Sequence, residues 1–141
     1  MSNKTFILQE CLIPLTINSE RKMISTPVYD WETNTDPQVN EGPEVLVKGD
    51  TINLVYSASG SWTDSYSLGL ITACVSGNLM DPSSWTKKDT PVFQSANGVY
   101  GPGHCSFVKS PDGSEDWIIY HKAFGCWVEQ ECPCTAIHLE R

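Results

Sequence analysis

The chain has 141 residues, a length typical of a single domain. Of its residues, 40% are hydrophobic and only 18% are charged. This composition excludes a disordered chain and, with nine Pro and ten Gly residues, favours an all-β fold rich in turns. The net charge of -8 and the lack of a basic cluster argue against nucleic acid and anionic membranes as partners. No apolar stretch approaches the roughly 20 residues needed to span a bilayer.

The N-terminal region is the least patterned part of the sequence. Residues 1–20 lack the apolar core of a secretory signal peptide. Residues 1–15 contain short apolar runs with no specified partner, whereas residues 23–27 predict a short strand that ends in a Pro-containing turn. The cysteines and the histidine of residues 126–138 lack the paired C-x-x-C spacing of a zinc site, so no zinc is predicted.

Short strands separated by turns follow one another after residue 43. Residues 44–47 and 51–57 flank a Gly-containing turn and predict a hairpin. The remaining elements are a strand at 66–74, a turn or single helical turn at 81–85, an edge strand at 86–93, and strands at 105–108 and 117–121. No long amphipathic helix is predicted.

The stretch Asn40-Glu41-Gly42-Pro43 places a carboxylate directly before a strand. Gly42 can adopt backbone angles closed to other residues, and Pro43 fixes its own φ. Together they are predicted to hold Glu41 at a rigid strand entrance, where a carboxyl group is a candidate acid or base. The alternative is a solvated surface glutamate before a turn.

The two halves of the chain resemble each other. The steps Glu41-Gly42-Pro43 and Tyr100-Gly101-Pro102 are each followed by a strand, a turn and an aromatic-containing strand, and their prolines are 59 residues apart. Such a repeat, with about four strands in each unit, is typical of β-propeller blades. The chain holds between two and three such units, which is fewer than the ~4 blades that close a ring.

Several motifs occur in a fixed order between about residues 16 and 123. They are Ile24-Ser25-Thr26-Pro27, Tyr29-Asp30-Trp31-Glu32, Asn40-Glu41-Gly42-Pro43, Val55-Tyr56-Ser57-Ala58-Ser59, Leu68-Gly69-Leu70, Asp81-Pro82-Ser83-Ser84-Trp85, Tyr100-Gly101-Pro102-Gly103-His104 and Asp116-Trp117-Ile118-Ile119-Tyr120-His121. In this order they resemble glycoside hydrolase family 43, and in particular its exo-acting α-L-arabinofuranosidases. The resemblance implies a partial five-bladed β-propeller that acts on O-glycosyl bonds of arabinan or arabinoxylan. It implies one partial domain over residues 1–141, with residues 1–15 and 126–141 atypical.

The resemblance also implies roles for individual residues. Glu41 takes the place of the general acid. His104 takes the place of the histidine on the propeller axis that helps to hold a metal ion, often calcium, or water. The alternative is a core histidine whose hydrogen bonds are made within the protein. Trp62, Tyr66 and Tyr100 are predicted to bind substrate by stacking on sugar rings.

The implied chemistry needs more than one carboxyl group. An inverting glycosidase uses a protonated acid and a carboxylate base about 6.5–9.5 Å apart, and the acid stays protonated in an apolar or negatively charged neighbourhood. In the family, the base and a second Asp that orients the acid both precede the Glu-Gly-Pro step. Asp30 and Asp36 lie in a segment that matches neither position. His121 ends an apolar strand and is interpreted as structural.

Two alternatives to an active enzyme stay open at this stage. One is a carbohydrate-binding remnant without turnover, and the other is a truncated product without a stable fold. An incomplete propeller exposes unpaired strand edges, which predicts self-association. The family is mostly extracellular, so the absence of a signal in residues 1–20 leaves the location open.

Overall fold

A computed structural model describes residues 3–123 and 136–140, the latter as backbone. Within this part, eleven strands and two 3-10 helices form. The strands are β1 (Phe6–Leu8), β2 (Cys11–Ile13), β3 (Thr16–Ile17), β4 (Lys22–Ser25), β5 (Asn40–Lys48), β6 (Thr51–Ala58), β7 (Ser67–Cys74), β8 (Thr86–Lys87), β9 (Tyr100–Lys109), β10 (Asp116–Ala123) and β11 (Ala136–Glu140). The 3-10 helices are Asp30–Glu32 and Pro82–Ser84. The cysteines and histidine considered for zinc fall at or beyond residue 126, where no side chain is described.

Two antiparallel sheets make up most of the chain. The first has the strand order β5-β6-β7-β8, and the second has the order β11-β10-β9. The predicted hairpin at residues 44–57 is confirmed, with Gly49 at a φ of 58° in its turn. The predicted helical turn is confirmed as Pro82–Ser84, where the Asp81 side chain accepts a hydrogen bond from the Ser83 backbone N–H at 2.9 Å.

The two Gly-Pro steps occupy equivalent β-bulges, as the repeat predicts. Gly42 and Gly101 have φ angles of 56° and 53°, which favour glycine. At each step, Gly and Pro together oppose one residue of the partner strand. The flanking register pairs are Glu41 with Ser57, Glu44 with Val55, Tyr100 with Ala123, and Gly103 with His121. The bulge therefore redirects the chain in the same way in both sheets.

The strand around Glu41 begins earlier than predicted. β5 spans Asn40–Lys48 rather than residues 44–47, so Glu41 lies inside the strand, beside the bulge, and not before its entrance. The N-terminal residues also have a partner that the sequence did not specify, since β1 pairs antiparallel with β4. A parallel bridge between Lys4 and Val39 brings the start of the chain next to the first residue of β5.

Strand β6 buries side chains on both faces of the first sheet, since its successive side chains point to opposite sides and both sides are covered. Leu54, Tyr56 and Ala58 pack with Phe6 and Ile71 in one cluster. Val55 points the other way and packs in a second cluster with Leu68, Cys105 and Tyr120. The first sheet thus lies between the N-terminal strands and the second sheet, as a blade lies between its neighbours.

Two further features bear on partners. β5 and β8 are the outer strands of the first sheet, and the self-association predicted through such edges remains a prediction. Among the described residues, no helix is long and apolar enough to cross a membrane.

Candidate active site

The Glu41 carboxylate is partly buried and has one partner for each oxygen. The Tyr66 hydroxyl donates to Oε1 at 2.9 Å. Lys4 Nζ lies 2.8 Å from Oε2. These two contacts come from segments 25 and 37 residues away, so tertiary packing and not local sequence orients the carboxylate.

Lys4 is held beside Glu41 by its own backbone. The Lys4 N–H donates to the Gln38 carbonyl at 3.1 Å, and the Asn40 N–H donates to the Lys4 carbonyl at 3.2 Å. These bonds form a short parallel bridge between Lys4 and Val39. The ion pair with Glu41 therefore extends from a fixed backbone position.

The surroundings of Glu41 favour its ionised form. Burial by itself raises the pKa of Glu41, but the hydrogen bonds from Lys4 and Tyr66, with the positive charge of Lys4, lower it below the ordinary value. The expectation of an apolar or negatively charged neighbourhood is therefore wrong for these residues. A carboxyl with a lowered pKa is a weaker proton donor near neutral pH.

Tyr66 is buried and hydrogen-bonded to Glu41, and it is not placed to stack on a sugar. Its side chain is 0% exposed, so its ring offers no free face to a ligand, and the stacking role predicted for it is wrong. A Cβ atom on Gly103 would overlap the Tyr66 ring, which shows that the ring lies directly against the backbone there. Burial, together with the negative charge of Glu41, raises the pKa of Tyr66, so the phenol keeps its proton for the bond to Glu41.

His104 lies next to the Glu41-Gly42 step. Its Nδ1 atom would be 3.2 Å from a Cβ atom on Gly42, and its backbone N–H donates to Ser57 Oγ at 2.7 Å. Its φ angle of 49° belongs to a second bulge of β9, between the pairs Gly103–His121 and Ser106–Ile119. The imidazole lies against Gly42, the residue that follows Glu41.

A calcium ion is a poor fit to the described residues around His104. Calcium takes about six to eight oxygen ligands, and imidazole nitrogen is not among its preferred donors. In residues 3–123, no three His, Cys, Asp or Glu side chains are grouped to hold a metal ion. His104 alone therefore does not make a calcium site.

Trp62 and Tyr100 lie at a neighbouring junction. Trp62 packs over Gly60, and both aromatic side chains are about half exposed. A Cβ atom on Gly101 would overlap the Thr63 carbonyl, so the loop that carries Trp62 abuts the start of β9. These two aromatic residues retain exposed faces, which stacking on a sugar requires.

Two site residues escaped sequence reasoning. His121, interpreted as structural, stacks on Tyr66 with ring centroids 5.3 Å apart and an interplanar angle of 12°. Lys4 lies in a segment without a recognisable pattern. The repeat offered a signal for His121, because it places His121 opposite Gly103, at the edge of the bulge equivalent to that of Glu41.

Asn40, directly before Glu41, belongs to a sealed polar network. Its Nδ2 donates to Glu32 Oε1 at 2.9 Å, and its Oδ1 accepts from Ser25 Oγ at 3.0 Å. Lys87 Nζ completes the network at 2.6 Å from Glu32 Oε1. The network fixes the first residue of β5 and, through it, the backbone that carries Glu41.

Comparison with known proteins agrees with the family that the motif order indicates. The model of the family described as Glycosyl hydrolases family 43 matches residues 4–133. The chain belongs to glycoside hydrolase family 43. The matched region is wider than the stretch of about residues 16–123 that carries the sequence motifs.

Curated relatives are arabinofuranosidases by name. The chain is 42% identical over 123 residues to an extracellular exo-α-(1→5)-L-arabinofuranosidase of Streptomyces avermitilis, and this match covers 85% of the chain and 25% of the relative. It is 41% identical over 122 residues to the protein of the same name in Streptomyces chartreusis, covering 85% of the chain and 37% of the relative. The chain thus spans well under half of either relative.

Solved structures of the family have a similar fold over the matched region. The α-L-arabinofuranosidase of Lactobacillus brevis matches with a TM-score of 0.89 and 34% identity, over 96% of this chain and 43% of that one. A thermostable family-43 glycoside hydrolase matches with a TM-score of 0.71 and 30% identity, over 83% of this chain and 38% of that one. The predicted fold is confirmed: the chain is all-β and forms part of a five-bladed propeller.

Proposed function

We propose that this chain contributes to a glycoside hydrolase of the α-L-arabinofuranosidase type, in which Glu41 is the general acid. The observation that carries the proposal is the position of Glu41: it is a partly buried carboxylate at a bulge, in contact with Tyr66 and close to the His104 ring. The names of relatives at about 41% identity support the arabinofuranosidase type. Two relatives are named as extracellular, which supports a polysaccharide outside the cell as substrate.

The acid role requires a change in the charges around Glu41. The Lys4 contact favours the carboxylate, whereas protonation of a leaving-group oxygen needs the carboxylic acid. A second carboxylate close by raises the pKa of its neighbour, because two like charges disfavour each other. In this proposal, the base and the orienting Asp come from the larger part of the family fold that this chain does not span.

A metal ion on the axis is proposed only with further ligands. His104 would contribute one nitrogen, and calcium would need several oxygen donors besides it, since no group of three His, Cys, Asp or Glu side chains in residues 3–123 is placed to hold a metal ion. No step of the proposed reaction depends on this ion.

Arabinose release from an α-1,5-linked arabino-oligosaccharide tests the proposal. The chain is compared with Glu41→Gln and with the control Glu44→Gln, a half-buried carboxylate three residues further along β5 that accepts from Ser106 Oγ at 3.1 Å. In a protein that also carries the base, we expect Glu41→Gln to lower kcat by about 10²–10⁴-fold, the usual contribution of a general acid, while Glu44→Gln retains activity. A cooperatively melting sample without turnover would show that this chain does not catalyse alone.

The ionised state of Glu41 favours a second candidate, which is carbohydrate binding without turnover. Trp62 and Tyr100 keep exposed aromatic faces, and a carboxylate accepts hydrogen bonds from sugar hydroxyls. Calorimetric titration with the same oligosaccharide, on wild type, Trp62→Ala and Tyr100→Ala, tests this function. Binding that both substitutions weaken, without arabinose release, would favour it over catalysis.

A further inference from the structure

Three aromatic rings form a column beside the candidate acid. The Tyr66 ring stacks on the His121 ring at a centroid distance of 5.3 Å and 12° between planes. The His104 ring continues the stack, 6.1 Å from His121 and 16° from its plane. His121 is therefore the middle ring of the column.

Both ends of this column meet the Glu41-Gly42 step. At one end, the Tyr66 hydroxyl donates to Glu41 Oε1 at 2.9 Å. At the other end, His104 Nδ1 would lie 3.2 Å from a Cβ atom on Gly42. The central ring thus lies between the ring that contacts the Glu41 carboxylate and the ring that lies against Gly42.

The Tyr66 ring packs against both a backbone and a side chain of the second sheet. Gly103 leaves room for the ring, and its register partner on β10 is His121. The Tyr66 ring therefore lies over the Gly103–His121 pair, and His121 is the side chain of that pair that contacts it. Loss of the imidazole would leave a gap on one face of Tyr66.

We propose that His121 is a positioning residue, which holds Glu41 through Tyr66. The inference rests on the proposed function for its catalytic meaning, since an oriented carboxyl group is what acid catalysis requires. Burial and the neighbouring His104 lower the pKa of His121, while the charge of Glu41 opposes this shift. A neutral ring stacks on the phenol without the cost of burying a charge.

The test is the nuclear magnetic resonance signal of the Tyr66 hydroxyl proton, assigned by its loss in Tyr66→Phe. We expect the signal to persist in wild type and in His121→Phe, which keeps a flat ring. In His121→Leu and His121→Ala, we expect its exchange with water to rise about tenfold, the equivalent of one weakened hydrogen bond. Ile119→Ala truncates a side chain two residues earlier on β10 and serves as the control, with no expected change.

The outcomes separate positioning from general stability. All variants are first checked for cooperative melting, and His121→Leu keeps volume where His121→Ala fails to fold. Faster exchange in His121→Leu, restored in His121→Phe, supports the proposal. Unchanged exchange in His121→Leu would overturn it, whether or not the chain releases arabinose, so this result is independent of the proposed activity.

Discussion

Two of the glutamate–lysine pairs among the described residues, Glu32–Lys87 and Glu41–Lys4, differ in their access to solvent. The side chains of Glu32 and Lys87 are 0% and 14% exposed, whereas those of Glu41 and Lys4 are 23% and 59% exposed. The Glu32–Lys87 pair is shielded from solvent and is called the sealed pair below. Such a pair is costly to break, because one charge is left buried without its partner. An open pair contributes little to stability, and its carboxylate remains accessible to a ligand.

The hydrogen bonds of the two carboxylates differ in the same way. Glu32 accepts bonds from the Val28 and Tyr29 backbone N–H groups, the Tyr56 hydroxyl and Asn40 Nδ2. Glu41 accepts from one hydroxyl and one ammonium group. The comparison teaches that Glu32 is a structural support, while Glu41, which shares its strand with Asn40, keeps a carboxylate that solvent can reach, as the proposed acid role requires.

The largest expected effect comes from breaking the sealed pair. Lys87→Met removes the ammonium group 2.6 Å from Glu32 Oε1 and leaves a buried charge. We expect the free energy of unfolding to fall by about 3–5 kcal/mol, measured by urea denaturation. Lys88→Met, an exposed neighbour, is the control. A loss below about 1 kcal/mol would mean that the pair is not sealed in solution.

The next effect is the loss of one hydrogen bond to Glu32. Tyr56→Phe removes the hydroxyl that donates to Glu32 Oε1 at 2.9 Å. We expect a loss of about 1–3 kcal/mol, because the buried acceptor is left with a bond unmade. Tyr100→Phe changes a half-exposed hydroxyl and should leave the urea midpoint nearly unchanged. Equal effects of the two substitutions would contradict the comparison.

The buried Glu32 carboxylate should also account for most of the stability that is lost at acid pH. Burial raises the pKa of Glu32, but bonds from Lys87 and the backbone outweigh it, so the folded-state pKa lies below the ordinary 4.5. A depressed pKa contributes stability that is present above 4.5 and is lost as the pH falls through the folded value. We expect the fall in urea midpoint between about pH 6 and pH 3 to be smaller in Glu32→Gln than in wild type. An identical pH dependence would assign the acid sensitivity to other groups.

The smallest effect on stability is expected at the open pair. Lys4→Met should change the free energy of unfolding by about 0–1 kcal/mol, an effect that salt screens further. The same substitution should raise the pKa of Glu41, because the strongest group that lowers it is removed. Carbon-13 detection of the Glu41 carboxyl measures this shift. A pKa that stays constant in Lys4→Met would show that the ion pair does not form in solution.

Much of the fold was predictable because its signals are local. The Gly-Pro steps specify the two bulges, Asp81 and Pro82 specify a helical turn, and alternation specifies the hairpins. The motif order also predicted the family, which the comparisons confirm.

The contacts of the site were less predictable because they join distant segments. Lys4 and Tyr66 meet Glu41 across 37 and 25 residues, and Lys87 meets Glu32 across 55. No local pattern encodes such pairs, since they depend on how strands and sheets pack together. For the same reason, the ring of Tyr66 appeared to be free for a sugar until its burial beneath Gly103 and His121 was known.

The most direct test of the central claim asks how the loss of kcat caused by Glu41→Gln depends on the leaving group. p-Nitrophenol leaves with little protonation, whereas a sugar alkoxide requires an acid, so only the second reaction depends strongly on Glu41. In a protein that also carries the base, we expect Glu41→Gln to lower kcat by about 10²–10⁴-fold on α-1,5-arabinobiose and by far less on p-nitrophenyl α-L-arabinofuranoside. Equal losses on both substrates, or no loss on arabinobiose, would contradict the assignment of Glu41 as the general acid.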